Sequence, residues 1–306
     1  MKIQSQSSWQ RRLPWLAVLA SLACAAALTQ AAHASNVTTI WGNSAGDSLD
    51  EWSLTNGAQL MHIDPAAALG LNSWNGRGVV QVGNTLYVTS ASSNDVYMIN
   101  ATTGAGEGVA FSVAGTSALS TISYNGTNFW IADYSGTNNA YLYSPTGTLL
   151  QTISLSNATG YMDGLLYFNN GSGGQLISNR SDGCCTTPTY YDLYNLSGTA
   201  TTTPFITANT ESTGSAYDGT NFWASNIYQG SLSEYSGTNG SLMSTLDLQN
   251  TIGGSFLVEG LSVNYTAVLP PPASVPEPST LALFGLGLAA VGLVMLRRRN
   301  ASGRAH

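Results

Sequence analysis

Positive charge is almost absent from the central part of this chain. Residues 35–269 contain no lysine and only two arginines, Arg77 and Arg180, against fifteen aspartates and glutamates, which gives a formal net charge of −13. A surface of that sign repels nucleic acid and anionic lipid, so we expect neither as a partner. Divalent cations and neutral polymers remain compatible with it.

Catalytic motifs are missing as well. His62 is the single histidine of residues 35–269, so a Ser-His-Asp site would depend on it. Its surroundings, QLMHID, predict an outer strand instead. The sequence has no HExxH, no Cys/His metal spacing and no glycine-rich phosphate loop. We therefore predict no catalytic residue and no metal ligand, and we expect that the protein is not an enzyme.

Acidic side chains offer one route to a cation. Asp133, Asp163, Asp182 and Asp218 fall near predicted strand ends, where carboxylate oxygens could bind Ca²⁺. No D-x-D-x-D-G loop accompanies them, and aspartates in turns commonly accept hydrogen bonds from their own backbone. We predict no cofactor, with Ca²⁺ kept as the alternative.

The N-terminal segment is typical of a secretory signal peptide. Basic residues precede an apolar run over residues 13–28, and small residues follow up to Ala34. We predict cleavage between Ala34 and Ser35. The alternative, an uncleaved membrane anchor, is disfavoured by the short apolar run and the small residues after it.

A second apolar segment covers residues 279–296 and contains no charged residue. It is long enough for a thin bilayer, since about 20 residues is usual. Arg297, Arg298 and Arg299 follow at once, and they orient the C-terminus to the cytoplasm and the body outward. The predicted divisions are a signal peptide (1–34), an ectodomain (35–269), a Pro-rich linker (270–278), a transmembrane helix (279–296) and a basic cytoplasmic tail (297–306).

Pro276, Glu277 and Pro278 stand directly before this helix. The order of a Pro-Glu-Pro motif, an apolar helix and an arginine cluster resembles the PEP-CTERM sorting signal, from Val275 onward. The resemblance implies a Gram-negative bacterium and a membrane-embedded exosortase that recognises the motif and cuts near it. It also implies release to, or attachment at, the cell surface, in the context of exopolysaccharide and biofilm. The alternative is a plain anchor that is never cut.

Cysteine is limited to Cys24, Cys184 and Cys185. The last two are adjacent in a long loop. In an oxidising compartment, the mature chain contains no other cysteine with which either of them could form a disulfide. Adjacent Cα atoms lie about 3.8 Å apart, closer than ordinary disulfides prefer. Two alternatives stay open, a vicinal disulfide that stiffens the loop tip or two free thiols.

One phrase occurs twice, 93 residues apart: YNGTNFWIAD at residues 124–133 and YDGTNFWASN at residues 217–226. Each copy predicts a strand, a tight turn and a strand, because Asn-Gly and Asp-Gly supply the positive φ that hairpin turns require. Both copies continue into two further strands. The repeated unit therefore has four strands.

Weaker copies of the unit set its period. From the first to the last copy there are 183 residues over four steps, about 46 each. A four-stranded unit of this length is typical of a β-propeller, and a β-sandwich does not explain the period. The aligned third-strand residues are Trp52, Ile99, Tyr143, Tyr194 and Tyr235, and the turn glycines after them are Gly57, Gly104, Gly147, Gly198 and Gly240.

The predicted fold class is all-β, a propeller of four-stranded blades. The first copy begins at its second strand, near residues 38–41, and residues 257–267 read as a first strand with only prolines after it. We therefore predict five blades, closed when the C-terminal strand joins the N-terminal blade. Six blades is the alternative.

Aromatic side chains are the remaining candidates for ligand contact. The strict repetition of Trp130 and Trp223 indicates packing between blades. Trp74, Tyr190 and Tyr191 fall outside the repeat frame, so we predict them as surface aromatics that could contact a sugar.

These observations predict an exported, surface-associated or extracellular protein that acts as a binding or structural component. Exosortase is the implied partner, exopolysaccharide a further candidate, and the membrane a partner only before processing. The alternative is a secreted propeller hydrolase or lyase that depends on Ca²⁺.

Overall fold

The computed structural model describes residues 37–171, 173–180, 185 and 187–268. The predicted signal peptide, sorting motif, transmembrane helix and basic tail lie outside these residues, as do the domain boundaries predicted for the ectodomain. No helix within the described part of the chain is long and apolar enough to cross a membrane.

Twenty strands in the described residues form five antiparallel sheets of four strands, which are the blades of a propeller. Blade 1 contains β1 (Thr39–Ser44), β2 (Ser48–Ser53), β3 (Gln59–Ile63) and β20 (Val258–Ser262). Blade 2 contains β4 (Gly76–Val82), β5 (Thr85–Ser90), β6 (Asp95–Asn100) and β7 (Gly106–Ser112). Blade 3 contains β8 (Leu119–Tyr124), β9 (Phe129–Asp133), β10 (Asn139–Tyr143) and β11 (Leu149–Ser154).

The last two blades follow in chain order. Blade 4 contains β12 (Leu166–Asn169), β13 (Gly174–Asn179), β14 (Thr189–Tyr194) and β15 (Ala200–Ala208). Blade 5 contains β16 (Ser212–Tyr217), β17 (Asn221–Asn226), β18 (Ser231–Ser236) and β19 (Leu242–Asp247). Two short helices complete the described elements, α1 (Pro65–Leu69) and α2 (Tyr265–Val268).

The predicted closure of the ring is confirmed. Strand β20 pairs with β1 in antiparallel register, with Trp41 opposite Ser262 and Gly42 opposite Leu261. The first blade therefore receives its inner strand from the end of the described chain, and no inner strand is left unpaired. Five blades and an all-β fold are confirmed with it.

The Phe-Trp doublet of blades 3 and 5 joins each of these two blades to both of its neighbours. Successive strand residues point to opposite faces, so Phe129 packs with Phe111 of blade 2 while Trp130 packs with Leu176 of blade 4. Trp223 makes the equivalent contact from blade 5 to blade 1. The interpretation of both tryptophans as core residues is confirmed, because they are 1% and 6% exposed.

The turn glycines of the repeat are required by backbone geometry. Gly57, Gly198 and Gly240 adopt φ of 69°, 86° and 68°, which residues with a Cβ rarely adopt. A Cβ at Gly240 would also lie 1.9 Å from the carbonyl oxygen of Phe205 in the preceding blade. These turns therefore pack against the neighbouring blade as well as reversing the chain.

Strand direction divides the ring into two faces. The turns between first and second strands and between third and fourth strands lie on one side, which we call the turn face. The loops between second and third strands and the connections between blades lie on the other side, the loop face. Strand β20 runs toward the turn face, so α2 begins there, and Tyr265 packs edge-on against Tyr124 at 5.1 Å.

Candidate functional site

Five buried polar residues stand at the loop-face end of the inner strands, one from each blade. They are spaced by 43, 43, 50 and 46 residues, so they follow the repeat. None is more than 8% exposed. We call this set the polar ring; its members are Arg77, Ser120, Asp163, Thr213 and Glu259.

Glycines beside the polar ring let the inner strands approach one another closely. A Cβ at Gly260 would lie 2.1 Å from the carbonyl oxygen of Arg77, and a Cβ at Gly164 would lie 2.4 Å from that of Thr213. Blade 3 has Thr121 at this position, and its hydroxyl donates to the carbonyl oxygen of Leu165 at 3.2 Å. The axis is therefore narrow, and the polar ring lines it.

The polar ring is connected across blades by charge and hydrogen bonds. Arg77 Nη1 lies 2.5 Å from Glu259 Oε1, which joins blades 2 and 1. The Ser120 hydroxyl donates to Asp163 Oδ1 and joins blades 3 and 4. One guanidinium and two carboxyl groups thus share a buried space, with a formal charge of −1 when both carboxyls are ionised.

Burial controls the protonation of this set. It raises the pKa of Glu259 to about 7, because desolvation and the nearby Asp163 outweigh the attraction of Arg77 and the contact with Thr213. Burial alone would lower the pKa of Arg77, but Glu259 and Asp163 raise it overall. Arg77 therefore stays charged, while Glu259 gains or loses its proton near neutral pH.

Two polar atoms of the ring have no hydrogen-bond partner among the described residues, although both are buried. They are Arg77 Nε and Glu259 Oε2. On the loop-face side, Tyr134 covers Arg77, with its ring centroid 4.3 Å from Cζ and its hydroxyl 3.1 Å from Nη2. The Tyr161 ring packs against Tyr134 in a tilted arrangement, with the ring centroids 4.8 Å apart. The arrangement can hold a small polar group on the axis, beneath two tyrosines.

The prediction of surface aromatics is wrong for Trp74 and Tyr191, which are 4% and 0% exposed. The Trp74 indole donates to Asn43 Oδ1 at 3.0 Å, and the Tyr191 hydroxyl donates to the carbonyl oxygen of Thr213 at 2.8 Å. Residues outside the repeat frame here fill the gaps between blades. Tyr190 is half-buried, with its ring centroid 4.9 Å from Arg180 Cζ, so it stays a candidate.

His62 lies on the outer strand β3, as predicted, and its partner is a buried carboxylate. Nδ1 lies 2.7 Å from Asp50 Oδ1, which also accepts from Gln59 Nε2 at 2.9 Å. Burial raises the pKa of Asp50. Gln59 in turn donates to the carbonyl oxygen of Gly253 and accepts from Ile252. This network fastens the connection before β20 to blade 1.

The aspartates considered for Ca²⁺ are dispersed over several blades. Asp133 accepts from the hydroxyls of Ser135 and Thr137, and Asp218 accepts from the backbone of its own turn. Asp163 belongs to the polar ring, and Asp182 lies outside the described residues. In that described part, no three His, Cys, Asp or Glu side chains are grouped so as to hold a metal ion.

The remaining predicted positions are mostly outside the described residues. Cys185 is disulfide-bonded. Cys184 is not described, so the vicinal pairing stays a prediction. The undescribed positions also include the predicted cleavage site Ala34 and Ser35, the sorting motif Pro276, Glu277 and Pro278, and the cluster Arg297, Arg298 and Arg299.

Sequence reasoning missed the polar ring, although a signal for it exists. Four of its five members precede a glycine, giving Arg77-Gly, Asp163-Gly, Thr213-Gly and Glu259-Gly at the spacing of the repeat. The polar residue changes from blade to blade, so comparing the blades for shared residue types does not reveal it.

Comparison with protein families decides the role of the C-terminal region. Residues 274–299 match the family model for the PEP-CTERM protein-sorting motif. The chain carries a PEP-CTERM sorting signal. This signal implies export, anchoring at the membrane during sorting and processing by an exosortase, with a propeller as the exported domain. The match contains Pro276, Glu277 and Pro278, so the resemblance drawn from those residues is confirmed.

Solved structures similar to this chain share little sequence with it. A chain of a nidogen/laminin complex is 11% identical, with a TM-score of 0.47, over 74% of this chain and 98% of that one. A Bacteroides caccae protein of unknown function is 12% identical, with a TM-score of 0.48, over 75% and 100%. The computationally designed protein Ika8 is 14% identical, with a TM-score of 0.37, over 69% and 59%. No curated protein sequence matches the chain.

Proposed function

We propose that the protein is a binding or structural component of the bacterial cell surface or extracellular matrix, and that it works without catalysis. The observation that carries this proposal is the position of the ring closure relative to the sorting signal. Strand β20 ends at Ser262, and the matched motif begins at residue 274. Cutting in the motif therefore leaves every described strand in the released product.

The chemistry of the propeller supports a neutral polymer such as exopolysaccharide as its partner. The body carries a net charge of −13, which disfavours anionic partners. Its repeated aromatic doublets are used for packing between blades, and its buried charges largely pair with one another. The propeller thus forms a scaffold whose outward surface is rich in hydroxyl and amide groups.

The sorting part is tested by replacing Pro276, Glu277 and Pro278 with alanine. We expect this variant to stay uncut in the membrane fraction, because the motif is the part that an exosortase would bind. The chain offers a matched control: Pro270, Pro271 and Pro272 lie outside the matched segment, and their replacement by alanine should leave processing unchanged. Equal distribution of both variants between membrane, surface and medium would contradict the proposal.

The binding part is tested separately by a glycan-binding screen of the exported protein, with and without Ca²⁺. Binding of a neutral polysaccharide is the expected result. A screen in which no polysaccharide binds under either condition argues against this part and leaves the sorting part intact.

A secreted hydrolase or lyase is the second candidate, and one observation favours it. Glu259 has a pKa raised to about 7 and lies beside Arg77 and near Asp163, as an acid-base residue would. Incubation with exopolysaccharide, with and without a chelator, distinguishes the two candidates. New reducing ends that disappear in Glu259→Gln would support catalysis.

A further inference from the structure

A groove of about 260 Å³ opens on the turn face between blades 4 and 5. Its walls come from the outer strand β15 of blade 4 and from the turn at 237–239 of blade 5. The polar ring lies at the opposite end of the inner strands, so this groove is a separate site.

The groove borders blade 4, whose second strand has no tryptophan. Trp130 and Trp223 lie opposite third-strand residues Leu142 and Glu234, and the equivalent position in blade 4 is Ile177, which lies opposite Leu193. Isoleucine fills less of the interface than tryptophan does. Leu193, the direct cross-strand neighbour of Ile177, lines the groove.

Phenylalanines from blade 4 form the apolar part of this site. Phe168 and Phe205 line it, and both pack against Phe222 of blade 5, at 4.8 and 5.7 Å between ring centroids. Phe168 is 4% exposed, and Phe205 is half-buried. The rings are thus fixed in place before any ligand arrives, which reduces the ordering cost of binding.

The polar part of the lining is uncharged. Gln175 and Asn239 contribute amides, and Thr202 and Thr238 contribute hydroxyls. None of the ten residues around the groove is Asp, Glu, Lys, Arg or His. Such a lining can both donate and accept hydrogen bonds, and it attracts neither ion sign.

We propose that this groove binds one unit of a neutral, hydroxylated ligand, a neutral glycan. Aromatic rings contact the apolar face of a sugar ring, while amides and hydroxyls bond its hydroxyl groups. The volume lies just under the range of about 300–1,000 Å³ that holds drug-sized ligands, so it suits a single sugar residue of a longer chain. The inference rests on the proposed function and assigns its binding to a place.

The test uses the exported protein and titration calorimetry with neutral tetrasaccharides of gluco, galacto and manno configuration. Oligogalacturonate and chitosan oligomers serve as charged probes. Thr202→Trp fills the groove from its exposed edge without disturbing the core, and Gln175→Ala removes one amide. Thr152→Trp places the same ring on the exposed outer strand of blade 3 and is the matched control.

We expect at least one neutral tetrasaccharide to bind, with an affinity that falls at least about tenfold in both groove variants, or about 1.4 kcal/mol. The Thr152→Trp control should keep the original affinity. Absence of binding by all neutral probes, binding of charged probes alone, or unchanged affinity in Thr202→Trp would overturn the inference. Processing of Thr202→Trp by the sorting machinery is scored in parallel, so a failed groove is distinguishable from failed sorting.

Discussion

The two copies of the repeated phrase form the same strand, turn and strand, but the turn residue differs in one terminal atom. This atom is an amide nitrogen in Asn125 of the first copy and a carboxylate oxygen in Asp218 of the second. In the first copy, Asn125 Oδ1 accepts from the backbone of Asn128 at 2.8 Å, and Trp130 Nε1 is buried with no partner in the part of the chain that the structure describes. In the second copy, Asp218 Oδ1 makes the same turn contacts, and its Oδ2 accepts from Trp223 Nε1 at 2.9 Å. An asparagine cannot do both, because its second terminal atom is a donor.

This difference separates what the repeat preserves from what it leaves to each blade. The turn and the packing of the tryptophan are common to both copies. Whether the indole N–H has a hydrogen-bond acceptor differs from blade to blade, and a buried donor without an acceptor costs about 1–3 kcal/mol. Four substitutions test this division, and the largest effects come from the shared part.

Removal of the tryptophan should be severe in both copies. Trp130→Ala and Trp223→Ala each leave a large cavity between blades, and we expect a loss of about 3–5 kcal/mol in the free energy of unfolding. Denaturant titration measures it. A loss below about 1 kcal/mol at either position would show that the tryptophan is not a core residue there.

A substitution of Glu259 tests the polar ring at the axis, whereas the tryptophan substitutions test the packing between neighbouring blades. The native state holds a proton on Glu259 up to a pKa of about 7, above its ordinary 4.5. The stability contributed by this group is therefore complete below pH 4.5 and is lost as the pH rises through 7. The full effect is on the order of 3 kcal/mol, at 1.36 kcal/mol for each pKa unit.

Glu259→Gln should remove that part of the pH dependence. Unfolding free energies at several pH values between 5 and 8 measure the slope. Glu107→Gln, at an exposed position of β7, is the control and should keep the wild-type slope. A slope in Glu259→Gln that equals or exceeds that of wild type would contradict the assignment.

Asp218→Asn converts the second copy into the first. The turn contacts should survive, but the Trp223 indole loses its acceptor, and we expect a loss of about 1–3 kcal/mol. Denaturant titration checks the loss. If the variant is as stable as wild type, the indole contact contributes nothing, and the two copies are equivalent.

Asn125→Asp is the reverse exchange and should have the smallest effect. An aspartate in the conformation of Asp218 gives the Trp130 indole an acceptor, and we expect a gain of about 0.5–1.5 kcal/mol. The combined variant with Asp218→Asn should come close to wild type, since the two sites lie in different blades. Destabilisation by Asn125→Asp alone would mean that the carboxylate does not reach the indole.

The period of the sequence was sufficient to predict the architecture. Trp52 and Tyr143 sit on third strands, and Gly57 sits at a turn with positive φ, because packing and turning demand the same residue types in each blade. These requirements for packing and turning act within each blade and recur in every blade. They therefore produce a periodic pattern of residue types that is visible in the sequence.

The candidate sites were less predictable, for two physical reasons. Trp74 and Tyr191 lie outside the repeat frame yet are buried, since connections between blades need filling as much as strands do. The groove is lined by Leu193, whose cross-strand partner Ile177 is smaller than the tryptophan at the equivalent position of blades 3 and 5, which is a deficit in side-chain volume. Such a deficit becomes visible only when neighbouring blades are packed together.

The late position of β20 also fixes the order of events during export. The inner strand of the first blade lies at residues 258–262, at the end of the described ring. A chain that stops before Val258 leaves β1 with an open edge and Arg77 without Glu259, whereas a chain cut within the sorting motif keeps both. The ring can therefore close only in a chain that has been translocated almost as far as its sorting signal.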